Sequence, residues 1–178
     1  LMTNTGSRTA GIDGVNKRKA LHNRDHLIAE VRAALKSATY THQPVRRVFI
    51  PKPNGKRRPL GIPTLTDRMV QMMVKAILEP IFESDFRPES HGFRPQRSCH
   101  TALAHLHQLT APRQKKMNWV IEGDITGCFD HIQHTTLMRL LRRRIQDHKL
   151  LGVIWQMLRA GVMEGTLFKT TSAGTPQG

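Results

Sequence analysis

Apolar positions along the chain change their period several times, and each change marks an element. Leu27, Ile28, Val31 and Leu35 recur at helical spacing and predict a helix from about Asp25 to Ser37. The period then falls to two over Val45–Ile50, which predicts a strand, and Pro53, Asn54 and Gly55 signal a turn. Lys56 to Ile62 should return as the second strand of a hairpin, with Pro51, Pro59 and Pro63 keeping its edges open. Thr66 is the expected N-cap of a long helix striped by Val70, Met73, Val74, Ile77, Leu78 and Ile81. Ser98 should cap another, carrying Ala102, Leu103, Leu106 and Leu109. Trp119 to Ile125 alternate and predict a strand; helices over about 135–146 and 147–161 and a short hairpin within Met163–Ser172 follow. Residues 1–22 read as an extended basic lead-in, interrupted by Gly6, Gly11 and Gly14. Helices and strands mix without regular βαβ alternation, so the expected class is α+β.

Charge changes the picture more than hydropathy does. Among 178 residues, 28 Lys and Arg face 13 Asp and Glu, a net charge of +15. Such an excess repels itself in a compact fold unless a polyanion sits against it, and nucleic acid gains counterion-release free energy by doing so. Hydrophobic residues at 38% allow a packed core, though aromatics at 5% make it lean. No stretch approaches the ~18 apolar residues of a membrane span, and the polar segment Leu1–Arg24 has no signal-peptide core. Cys99 and Cys128 are too few for a disulfide framework, which points to a reducing intracellular compartment.

Two constellations carry candidate chemistry. Between Arg46 and Arg58 stand six cations (Arg46, Arg47, Lys52, Lys56, Arg57, Arg58) and no acid. That run fits a phosphate clamp, and equally a charged edge strand that discourages aggregation. In the second, strand alternation turns Glu122 and Asp124 away from Trp119, Ile121 and Ile125. Asp124 then sits at a strand end, where a metal ligand and a solvated cap are both at home. Cys128, His131 and His134 lack a fourth ligand for a closed zinc site. Met69, Met72 and Met73 read as adaptable packing, and His105 and His107 as surface positions on a helix. Arg139, Arg142, Arg143 and Arg144 fit a nucleic-acid contact or a solvated helix face.

Five runs, in order, resemble motifs of group II intron reverse transcriptases. They are Thr9–Gly14 (the extension before the fingers), Ile50–Pro63 (the fingers), His91–Ser98, Glu122–Asp130 (the first palm motif) and Ala173–Gly178 (closing on the nucleotide). The resemblance implies right-hand polymerase architecture: an extension over 1–24, fingers over 25–110 and a partial palm over 111–178. It implies that Lys52 and Arg58 grip the triphosphate and that Asp124 is the first catalytic aspartate. The Ile125 carbonyl would join Asp124 on Mg²⁺, Phe129 would exclude a 2′-hydroxyl, and Gln177 would contact the nucleotide. Arg94 and Arg97 are the implied template and fingers contacts, and Arg46, Arg47, Lys56 and Arg57 of the basic run are the further expected nucleic-acid contacts. Without the resemblance, Phe129 reads as palm core.

The family pattern continues with adjacent aspartates that help hold two metal ions. No two acids are adjacent among these residues, and the sequence stops inside a motif at Gly178. The expectation is therefore a front portion that cannot polymerise alone and has either a complementary C-terminal polypeptide or a tendency to self-associate. Implied partners are intron or template RNA, a DNA primer and deoxynucleoside triphosphates, in a bacterial cytoplasm and away from membranes. The alternatives are a non-catalytic intron-RNA-binding module and a truncated relic of a mobile element.

Overall fold

The computed structural model describes residues 8–51, 53, 55–111 and 119–175. Lys52 and Gln177, both implied nucleotide contacts, lie outside the described residues. The chain forms two compact units: Leu1–Lys75 with Gly127–Gly178, and Ala76–Thr126.

The first unit is built on a four-stranded sheet ordered β2-β1-β3-β4. β1 (Val45–Pro51) and β2 (Arg57–Ile62) form the expected antiparallel hairpin, paired from Arg46 opposite Ile62 to Pro51 opposite Arg57. Gly55, at φ 77°, supplies the left-handed backbone of its turn. β3 (Val162–Glu164) runs parallel to the start of β1 and antiparallel to β4 (Leu167–Lys169). Helices α1 (Lys17–His22), α2 (Arg24–Lys36), α5 (His134–Leu141) and α6 (His148–Arg159) belong to the same unit. Its core gathers Val31, Val45, Ile62, Leu65, Val70, Met138, Leu151, Ile154, Leu158 and Val162, all buried.

Two sequence expectations are corrected here. The lead-in is not extended to residue 22, because Asn16 accepts the Lys19 amide and starts α1 just beyond Gly14. Thr66 is not the N-cap of α3 (Leu65–Glu83). Thr64 is: its Oγ1 accepts the Asp67 amide at 3.1 Å and its carbonyl accepts the Arg68 amide. The lead-in also packs against this helix start. A Cβ on Gly11 would come within 2.7 Å of the Thr64 backbone, and Arg68 donates to the Thr9 carbonyl at 2.8 Å. Glycine at position 11 is thus a requirement of close approach.

The second unit holds the end of α3, the 84–98 loop and α4 (Cys99–Thr110), which opens on a reciprocal capping box between Ser98 and Thr101. Trp119–Ile125 is not a strand. Trp119 is 91% exposed and Ile121 98%, and no strand among the described residues pairs with this run. Alternation alone cannot make a strand, because the ladder needs a neighbour to receive its amides and carbonyls. The apolar stripes are also only partly used. Val70 and Val74 are buried, while Met73, Ile77, Leu103, Leu106 and Leu109 stay exposed.

Candidate nucleotide and nucleic-acid site

The hairpin distributes its cations over both faces. Cross-strand partners share a face, so Arg47, Gly61, Pro51 and Arg57 stand on one side, and Arg46, Ile62, Ile50 and Arg58 on the other. Arg47 and the residue paired with Arg57 are four positions apart, roughly 13 Å at the usual strand rise. The run is therefore not one compact clamp. Lys56, Arg57 and Arg58 are exposed near the turn, whereas Arg46 is half-buried at the sheet interior.

Arg47 instead lines a cleft of about 240 Å³ with Pro59, Gly61, Asp130, Gly174 and Thr175. The far wall is made by clasping the last described segment onto the Phe129 turn. The Gly174 amide donates to the Ile132 carbonyl at 2.8 Å and the Thr175 amide to the Phe129 carbonyl at 2.9 Å. Gln133 and Ala173 form an antiparallel bridge. Buried His134 donates from Nε2 to the Gly174 carbonyl at 2.7 Å, leaving Nδ1 without a hydrogen-bond partner among the described residues. Gly174 sits at φ 85°, and a Cβ there would lie 3.1 Å from the Asp130 carbonyl oxygen. The turn over Cys128–Asp130 begins at Gly127, in a left-handed conformation, and His131 Nδ1 donates back to its carbonyl at 2.8 Å. Phe129 is left half-exposed beside this clasp. Sequence reasoning did not single out His134 as a clasp residue; its helical position carried no signal of a carbonyl partner forty residues away.

A second element missed from sequence is Asp67, 2% exposed and central to a polar knot at the start of α3. Its carboxylate accepts from Thr64 Oγ1 at 2.6 Å, Tyr40 Oη at 2.7 Å, His42 Nδ1 at 2.9 Å and the Gln43 amide at 3.3 Å. Burial alone would raise the Asp67 pKa, but hydrogen bonds from His42, Thr64 and Tyr40 outweigh it and hold the acid below its usual range. Burial first, then the hydrogen bond and charge of Asp67, push the Tyr40 hydroxyl well above its usual value. The knot ties the 40–43 segment to α3 directly before β1, and so fixes where the hairpin begins. The Thr64-x-x-Asp67 spacing, a capping signature, was the available clue.

In the second unit, Arg94 is committed to its own loop. It is bidentate to Glu83 (Nε to Oε1 3.0 Å, Nη2 to Oε1 2.7 Å), and Nη1 donates to the Arg87 and Ser90 carbonyls, each at 2.8 Å. Its guanidinium also lies over the Phe86 ring, 5.0 Å from the centroid. Arg97 is exposed. His91 Nδ1 meets Thr101 Oγ1 at 3.1 Å and its Nε2 meets His105 Nδ1 at 3.4 Å, which anchors the same loop to α4. Asp124 and Ile125 lie exposed in the extended run before Gly127.

Comparison with known proteins decides what this arrangement belongs to. The family described as Reverse transcriptase (RNA-dependent DNA polymerase) matches residues 50–178. The chain belongs to the reverse transcriptase family. Similarity to individual curated relatives extends ahead of that span. It is 45% identical over 184 residues to the group II intron-encoded protein LtrA of Lactococcus lactis subsp. cremoris, covering 100% of this chain and 29% of LtrA. It is 44% identical over 178 residues to protein YkfC of Escherichia coli (strain K12), covering 99% of this chain and 47% of YkfC. With nuclear intron maturase 1, mitochondrial, of Arabidopsis thaliana it shares 35% over 97 residues, 54% of this chain and 13% of that one. The resemblance to group II intron reverse transcriptases drawn from the five motifs is borne out. The chain spans less than half the length of each of these curated relatives.

Reverse transcriptases use divalent metal ions, so the donor set deserves a direct test. Among the described residues, no group of three or more His, Cys, Asp or Glu is gathered to hold an ion. Asp124 and the Ile125 carbonyl, expected from the sequence to hold Mg²⁺, would offer at most three oxygens, where Mg²⁺ takes about six in near-octahedral order. The described residues do not form a metal centre by themselves. Among the described residues, no helix is long and apolar enough to cross a membrane.

Proposed function

We propose that the chain supplies the fingers and the first part of the palm of a group II intron RNA-directed DNA polymerase, with a role in intron splicing. On this reading residues 1–24 are an extension, 25–110 the fingers and 111–178 the partial palm. The observation that carries it is the clasp: Gly174 and Thr175 are hydrogen-bonded to the Phe129 turn, on a cleft whose other wall is Arg47 and the hairpin. That geometry suits a nucleotide whose sugar meets Phe129 and whose phosphates meet hairpin cations. Phosphoryl transfer depends on such positioning and charge more than on covalent chemistry.

Lys52 and Arg58 are the proposed triphosphate grip and Gln177 a further nucleotide contact. Arg46, Arg47, Lys56, Arg57 and Arg97 are proposed to hold template RNA and primer. Arg94 is proposed to act through the loop it braces. Asp124 is the proposed catalytic aspartate, with the Ile125 carbonyl beside it. The remaining Mg²⁺ ligands must come from outside these residues, on a complementary polypeptide segment.

The test is nucleotide competition on the chain with an RNA template and DNA primer, in Ca²⁺, comparing dTTP with UTP. The parent should prefer dTTP at least tenfold, and Phe129→Ala should narrow that preference while Arg58→Gln weakens both. A parent that binds neither nucleotide, or a Phe129→Ala variant with unchanged preference, contradicts the proposal and favours a non-catalytic RNA-binding module.

A further inference from the structure

Beyond the clasp, the first unit carries a cleft of about 380 Å³ between α5 and α6. Its walls are apolar: Met138 and Leu151 are buried at its base and Trp155 stands half-buried beside them. Its rim carries two cations, Arg139 on α5 and Arg142 at the C-cap of that helix, with His148 on α6, all exposed. No acid lines it. The neighbouring carboxylate, Asp147, is occupied in capping α6 through the Lys149 and Leu150 amides.

One residue makes this more than a gap between helices. Gly152 lies in the middle of α6 and lines the cleft, and a Cβ built on it meets nothing within 4 Å. A glycine inside a helix costs about 1 kcal/mol relative to alanine. Neither backbone strain nor crowding requires it here, and it keeps the cleft open beside Trp155. Space next to an indole, ringed by arginines, is the chemistry that takes a nucleobase with its phosphates: the base packs on the aromatic surface and planar guanidinium groups receive the anionic backbone.

We propose that the α5–α6 cleft is a binding site for a single-stranded RNA segment, with a base against Trp155 and phosphates on Arg139 and Arg142. It rests on the proposed function only for the class of ligand, since it is separate from the Phe129–Gly174 cleft. The charge of the rim excludes a purely apolar occupant, and the acidic amphipathic peptide is the rival of the same sign.

The chain contains two tryptophans, so Trp119→Phe leaves Trp155 as the sole emitter. A labelled twelve-nucleotide oligouridylate is titrated into this variant, reading label anisotropy and Trp155 emission together; a polyglutamate peptide is titrated separately. The expected result is saturable quenching of Trp155 by RNA, weakened at least tenfold by Arg139→Gln/Arg142→Gln. Gly152→Leu, which fills the cleft with a better helix former, should abolish the quenching without lowering the melting temperature. RNA binding seen in anisotropy with no Trp155 change, or quenching indifferent to Gly152→Leu, overturns the site while leaving the proposed function standing. Quenching by polyglutamate and not by RNA overturns it in favour of an acidic protein partner. No RNA binding by either readout overturns both.

Discussion

The Phe129 turn, clasped by Gly174 and Thr175, and the Trp119–Ile125 run lie on either side of Gly127 in sequence, and they are treated in opposite ways. In the clasp, backbone groups find partners inside the described residues: Gly174 on Ile132, Thr175 on Phe129, His134 on Gly174. In the run, Trp119, Val120, Ile121 and Ile125 lie 73–98% exposed, with no strand beside them among the described residues. The difference shows that order follows from partners present to receive backbone groups, not from alternation along the run itself. The clasp joins segments forty or more residues apart, but both of them lie among the described residues and satisfy each other's backbone groups. A strand needs a ladder, and its apolar face needs a cover.

The contrast can be broken most directly at Asp67, which anchors the ordered side. Asp67→Ala strands the Tyr40 hydroxyl, His42 and Thr64 in a buried site, and should cost about 3 kcal/mol or more in urea unfolding. A loss under ~1 kcal/mol would mean water reaches the knot and the hairpin entry is not anchored there. Gly174→Ala is next. Its φ of 85° and the nearby Asp130 carbonyl should make alanine destabilising by about 1–3 kcal/mol. Binding of dTTP should weaken with it if the clasp shapes the nucleotide cleft; stability lost with binding unchanged would separate the two.

In the second unit the effects shrink. His91 is held below the ordinary imidazole range, by desolvation first and then by Arg97, His105 and Arg94. The unfolded chain therefore takes up this proton before the folded one does. The His91 contribution is complete above the unfolded imidazole value near ~6.5 and is lost as pH falls below it. The urea midpoint should drop between pH 7.5 and pH 5.0 by more in the parent than in His91→Gln; equal drops would remove His91 from the account. Ile121→Thr should be smallest of all, within about 0.5 kcal/mol in urea melts, because the side chain is already in water. Reduced self-association in sedimentation would accompany it if the run is an uncovered strand; a large loss of stability would show that the run is packed after all.

How legible this molecule was in its sequence follows the same division. The hairpin was legible because its alternation, its Gly55 turn and its prolines all act over a dozen residues. Ser98 announced α4 for the same reason, through an amide three residues on. Thr64 was passed over for Thr66, although only Thr64 stands three residues before an acid able to complete the cap. The Asp67 knot was hidden because Tyr40 and His42 approach from 27 and 25 residues upstream. Arg94 was legible as a cation but not by its partners, since Glu83 lies eleven residues back and the loop carbonyls it binds carry no side-chain signal. Of the implied catalytic residues, sequence resemblance named Asp124, but composition and spacing had nothing to distinguish it from a solvated acid. Its significance comes from the reverse transcriptase family.

Complementation tests the central claim most directly. The 178-residue chain is mixed with a polypeptide carrying the portion of LtrA beyond the matched region. Primer extension on an RNA template is then measured in Mg²⁺ for the parent and for Asp124→Asn. The account predicts synthesis in the mixture, none from the chain alone, and a loss of at least ~100-fold with Asp124→Asn at unchanged melting temperature. Extension by the chain alone, or a mixture whose activity is the same with asparagine at position 124, would contradict it.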